Sequence, residues 1–177
     1  MRGRARATAV RTLAANVELF ERAGYRVAAT GAFERRLERD GVQPLLLRMA
    51  ADGRIFGGSF ALEIASGDPV LPTTRGLAGR PRGALRLRAV AFRPRRGDEE
   101  GARLARRLVG DERLQRALAD VHFERIRVEP DGRPAIRHMG GSVVWVLFPP
   151  VVRAVPFPPA QVRPVVRALD AFAEAAR

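Results

Sequence analysis

The chain has 177 residues, 46 % of them hydrophobic, which suits one core of single-domain size spanning 1–177. It contains no cysteine, which excludes disulfides, thiolate metal sites and cysteine nucleophiles; a reducing, cytoplasmic setting is expected. The formal net charge is +13 and all the basic residues are arginine, which with abundant alanine reads as the codon usage of a GC-rich bacterial genome, although codon usage does not set the excess of cations over acids.

Val10, Leu13, Val17 and Phe20 recur at helical spacing and predict an opening helix that Gly24 ends. Asp40-Gly41, Asp52-Gly53 and Asp131-Gly132 each lie between runs of strand-forming residues and predict antiparallel hairpins. The first two link strands at 33–38, 44–50 and 55–63. A register centred on Asp52-Gly53 puts Leu45, Leu47, Met49, Phe56 and Phe60 on one face, with Leu46 and Arg48 on the other.

A Pro/Gly/Arg-rich loop is predicted over 67–83, then a strand from Leu85 to Phe92. Asp98-Glu99-Glu100 opens a helical stretch with Leu104 and Leu108, broken at Gly110 and resumed through Leu114 and Leu118. Strands at 122–129 and 134–148 form the last hairpin, and Val165, Leu169 and Phe172 mark a final helix with Pro164 in its first turn. The expected fold is α+β: a mostly antiparallel sheet of about six strands, with the N-terminal, two short middle and C-terminal helices on one face. The apolar run from Val143 to Val152 is too short for a membrane span and holds Pro149 and Pro150, so none is expected.

No cofactor motif is present, and no cofactor or metal is expected. His138-Met139-Gly140-Gly141-Ser142 offers a base, exposed amides and a hydroxyl, the parts of a small hydrolase or transferase. It lacks a Gly-x-Ser-x-Gly elbow, and paired glycines in a strand more often mark a bulge. A two-residue turn at Asp131-Gly132 would pair His138 with Arg125 and His122 with Gly141, separating the two histidines. The acids at 98–100 read as helix-start chemistry, and the Leu104–Leu118 bend as an ordinary helix pair before a DNA-reading one.

Charge is the most informative feature. Residues 1–17, 69–97 and 132–169 hold four, eight and five arginines and no acid, whereas the remainder carries 15 arginines against 19 acids. The basic excess is therefore local. Arg75, Arg80, Arg82, Arg86, Arg88, Arg93, Arg95 and Arg96 fill the richest window, with Arg125 and Arg127 placed to extend it should their strand lie alongside. Guanidinium groups donate paired hydrogen bonds to phosphate and stay charged. The leading expectation is a non-enzymatic module for a phosphate-bearing partner, nucleic-acid backbone foremost; aromatic residues are too few for a base-stacking platform. The alternative is a protein-interaction module, homo-oligomer included, or a peripheral module on an anionic membrane, using the 143–159 tract.

Overall fold

The computed structural model describes residues 2–82 and 89–176. In chain order the elements are α1 (Arg2–Glu21), β1 (Arg26–Thr30), β2 (Glu34–Arg39), β3 (Val42–Arg54), β4 (Gly57–Ser66), β5 (Leu77–Arg82), β6 (Ala89–Pro94), α2 (Glu99–Gly110), α3 (Glu112–Ala119), β7 (Phe123–Val128), β8 (Pro134–His138), β9 (Ser142–Val146) and β10 (Val151–Val155). A short 3-10 turn (Pro159–Gln161) then leads into α4 (Val162–Ala175). The fold is α+β, and every strand pairing among the described residues is antiparallel.

The sheet runs β1-β2-β3-β4-β8-β7-β5-β6 and forks at β4. The first half of β4 pairs with β9, through Gly57↔Val146 to Phe60↔Val143, and its second half with β8, through Glu63↔Arg137 to Ala65↔Ala135. Beyond the fork β10 pairs β9. All four helices lie on one face. Leu13, Val17 and Phe20 of α1, Leu104 and Leu108 of α2, Leu114 and Leu118 of α3, and Val165, Leu169 and Phe172 of α4 join Leu45, Leu47, Met49, Leu62, Ile64, Ile126 and Ile136 in one core. Val10 is not part of that stripe: it is exposed, and Ala9 is buried in its place, in line with Leu13, Val17 and Phe20 at spacings of four, four and three.

Ten strands stand where the sequence suggests about six, for four local reasons. Strand β1 is an edge strand with every residue exposed, so it has no apolar alternation to read. Strand β5 lies inside the predicted 67–83 loop; a Cβ at Gly79 would press on Ile126, Phe92 and Val90, and Pro81 lies beyond Gly79, where the pairing with β7 ends. Strand β10 uses the proline-flanked segment after Pro150. The predicted strand 134–148 is two strands, β8 and β9, separated by a bulge at 139–141.

Two of the three hairpin registers also differ from expectation. Asp52-Gly53 is not the turn: β3 continues to Arg54, the chain reverses at Ile55-Phe56, and Asp52 pairs with Ser59. Gly57 and Gly58 must lie within β4 because Trp145 crosses them, its ring 3.0 Å and its carbonyl 2.7 Å from where their side chains would start. Leu45, Leu47 and Met49 do face the core, with Phe60 packed against it, but Phe56 is exposed at the tip. In the last hairpin the loop is three residues, 130–132. Glu129 accepts from Gly132 N–H and donates its own N–H to Arg133, and Gly132 takes the left-handed conformation (φ 87°) that closes such loops. A bulge at Glu124 then sets Phe123 opposite His138.

Candidate anion-binding site

The face of the sheet without helices carries the charge. Side chains alternate along strands, so wherever Leu47, Ile64, Ile136 and Ile126 point inward their neighbours point outward. Across the outer face the paired residues run Glu34, Arg48, Glu63, Arg137, Arg125 from β2 to β7. The signs alternate as cross-strand neighbours prefer until the last step, where two arginines stand side by side.

Glu63 organises the neutral part. It is buried (2 % exposed) and accepts from Arg48 Nε at 2.9 Å, Arg127 Nη2 at 2.9 Å and Arg137 Nη2 at 3.1 Å. Glu129 adds a second acceptor for Arg48 and for Arg127. Burial opposes ionisation of Glu63, but the hydrogen bond from Arg48 and the nearby charges of Arg127 and Arg48 overcome it and hold the carboxyl below the usual carboxylate range.

Beyond Arg127 the acids stop. Arg80 of β5, Arg93 of β6, Arg95 just after it, and Arg125 and Arg127 of β7 line one cleft of about 600 Å³, in which the single carboxylate is Glu124. The cleft exists because Ala78 of β5 pairs with Arg93 on one side and Arg127 on the other, leaving a small residue between two long ones. Two strand spacings separate those flanking arginines by about 10 Å. Among the described residues Arg80, Arg93, Arg95 and Arg125 have no carboxylate within 4.0 Å, in contrast to Arg48, Arg127, Arg133 and Arg137.

Of the eight arginines singled out in the 69–97 window, the fold thus brings three together and adds Arg125 and Arg127. Arg75 and Arg96 do not line the cleft. Arg75 is placed by its backbone N–H, which donates to Asp98 Oδ2 at 2.8 Å, and Arg96 sits in the exposed turn before α2. Arg82 is the last residue of β5 and its side chain, like Arg86 and Arg88 as a whole, lies outside the described residues. Asp98 caps α2: its Oδ1 accepts Gly101 N–H at 2.9 Å, and this bond, with that from Arg75, keeps its carboxyl below its ordinary range. Leu104, Leu108, Leu114 and Leu118 are spent on the core.

The His138 segment is a packed bulge. Gly140 N–H donates to His138 Nδ1 at 2.8 Å, so the neutral ring carries its proton on Nε2, which faces Gln161 Oε1 at 3.4 Å. The ring is 1 % exposed and lies 4.5 Å from the Phe157 ring. No hydrogen bond joins it to Ser142 among the described residues. The two histidines are not separated as the two-residue turn implied: the one-residue register change brings their rings to 6.5 Å. No group of three metal-ligating side chains occurs among the described residues. Asn16 is the functional-looking residue the sequence hides, a polar side chain in the apolar stripe of α1 whose Nδ2 donates to Gly141 O at 3.0 Å.

Burial lowers the His138 pKa; the contacts with Gly140 and Gln161 act the other way, and His122 adds to the lowering. A base depressed in the native state favours unfolding as it takes up a proton, so this contribution to stability is full above 6.5 and is lost as the pH falls from there through the depressed native value. An NMR titration is expected to place the His138 midpoint below 6.5. A midpoint at or above it would show that the ring is not held neutral.

No helix among the described residues is long and apolar enough to cross a membrane. No curated protein and no solved structure matches the chain. Residues 14–176, which include the whole sheet and the arginine cleft, match the family described as Protein of unknown function (DUF3156), and the chain belongs to that family.

Proposed function

We propose that the arginine cleft on the helix-free face binds a phosphate-bearing polyanion, nucleic acid held through its backbone, in the cytoplasm and without catalysing a reaction on it. The observation that carries this reading is the convergence of Arg80, Arg93, Arg95, Arg125 and Arg127 on one polar cleft, four of them lacking an acidic partner. Unpaired guanidinium groups held this close repel one another, and phosphate relieves that repulsion with paired hydrogen bonds. The neutralised network around Glu63 fixes one wall of the cleft by holding Arg127 in place.

With no aromatic side chain in the cleft, the contact is to backbone, not base. Fluorescence anisotropy with mixed-sequence duplex DNA and single-stranded RNA is expected to give a log–log salt slope of roughly −3 to −4 for the duplex, from four free cations. The Arg80→Glu/Arg125→Glu variant, changed only at exposed positions, is expected to bind roughly 10–100-fold more weakly, with a shallower slope. Wild-type protein that binds neither polyanion at low ionic strength would sink the reading.

A further inference from the structure

At one end of the sheet two turns meet. The Ile55-Phe56 turn joins β3 to β4, and the 147–150 turn joins β9 to β10; Leu147 N–H donates to Phe56 O at 3.0 Å and ties them side by side. Their largest side chains face solvent: Ile55 is 82 % exposed, Phe56 68 % and Phe148 80 %. Val144, Val146 and Val151 continue this apolar surface along the outer side of the β9–β10 hairpin, and a shallow hollow of about 670 Å³ beside them is lined by Ile55, Phe56, Val144 and Val146, with Asp52 and Glu124 as its acids. Large apolar side chains clustered at projecting tips lose no water to the fold and mark a surface used by something else.

The surroundings of these tips are cationic. Arg2 stands over the Trp145 ring at 5.8 Å and Arg6 over the Phe33 ring at 4.9 Å; Arg4 and Arg11 line a recess with Pro150 and Val152; Arg153 pairs across from Val144. Helix α1 has no acid in its first turn, so the arginines near its start oppose the helix dipole. An anionic surface beneath that end removes the conflict.

We propose that this end of the molecule docks on an anionic bilayer, with Ile55, Phe56 and Phe148 entering the apolar layer and Arg2, Arg4, Arg6, Arg11 and Arg153 meeting the headgroups. Charge complementarity selects this occupant over a second copy. In a two-fold contact through the tips the same arginines face one another, which repels, whereas anionic headgroups satisfy all of them at once. The hollow adjoins the arginine cleft at Glu124, but the two readings use different side chains and stand or fall separately.

Flotation with phosphatidylcholine–phosphatidylserine vesicles, and with pure phosphatidylcholine vesicles as the comparison, tests it. The wild-type chain is expected on the mixed vesicles only. Phe56→Ser/Phe148→Ser, which alters no charge and no buried side chain, is expected to weaken vesicle binding at least tenfold while duplex-DNA binding is unchanged. Arg4→Gln/Arg11→Gln is expected to cost about fivefold per arginine. Wild type that ignores both vesicle types, or serine variants that bind as well as wild type, would overturn the proposal. A dimer abolished by the serine pair, with no vesicle binding, would assign the surface to a second copy instead.

Discussion

Replacing Glu63 by glutamine is expected to destabilise the fold by about 3–5 kcal/mol, the usual cost of leaving buried partners of an ion network uncompensated. Glutamine keeps the shape and one acceptor, so the loss reports charge and not packing. Three arginines converge on this carboxylate, and Arg137 is itself buried, so it has little recourse to water. The pH dependence gives a second readout. A carboxyl held below its ordinary range contributes stability that is present above the unfolded-state value and is lost as the pH falls through the native one. The acid limb of the wild-type stability curve, below the ordinary Glu value of 4.5, should therefore be steeper than that of Glu63→Gln. Urea unfolding of both proteins from neutral to acid pH measures each effect. Parallel acid limbs would mean that Glu63 is not the ion that organises the face.

The second large effect is expected at Gly141. Its φ of 76° is left-handed, and a Cβ there would lie 2.5 Å from Leu62 Cδ2, 3.0 Å from Asn16 Nδ2 and 3.1 Å from Phe157 Cβ. Gly141→Ala combines the left-handed penalty with overpacking, together roughly 2–5 kcal/mol. For a chain of this size that amounts to a melting-temperature drop of roughly 5–15 °C, measurable by calorimetry. Asn16→Ala serves as the companion: it removes the donor to Gly141 O without crowding and is expected to cost about 1–3 kcal/mol. Were Gly141→Ala as stable as wild type, the bulge would have to be free to move, contrary to its packing between α1 and Phe157.

These two residues show why the sequence reads some of the structure and not the rest. Glu63 sits in the apolar run Phe60-Ala61-Leu62-Glu63-Ile64-Ala65, and an acid there signals a buried partner without naming one. Its partners come from Arg48, 15 residues back, and from Arg127 and Arg137, 64 and 74 residues ahead. Nothing local carries those separations. The glycine pair at 140–141 is legible as a bulge, but that Asn16 would hold it depends on α1 crossing β9. The acid-free window 69–97 is legible as a basic segment, whereas its division into cleft-lining Arg80, Arg93 and Arg95 and outlying Arg75 and Arg96 follows from the pairing of β5 with β6 and β7.

The sequence by itself determined the class and the raw materials: helical periodicity set the helices, alternation and turn chemistry set the presence of hairpins, and the distribution of acids set three arginine-rich segments. These are properties of neighbours along the chain, where spacing alone decides which side chains share a face. The tertiary structure decided the rest: ten strands in place of about six, the shift of the β3–β4 turn from Asp52-Gly53 to Ile55-Phe56, and which arginines are neutralised. Register depends on what each strand meets across the sheet: Gly58 lies against the Trp145 ring and Gly57 against its carbonyl, and β3 pairs with β4 through Asp52-Gly53 in place of turning there. The same holds for charge, since an arginine is free or paired according to which strand lies beside it.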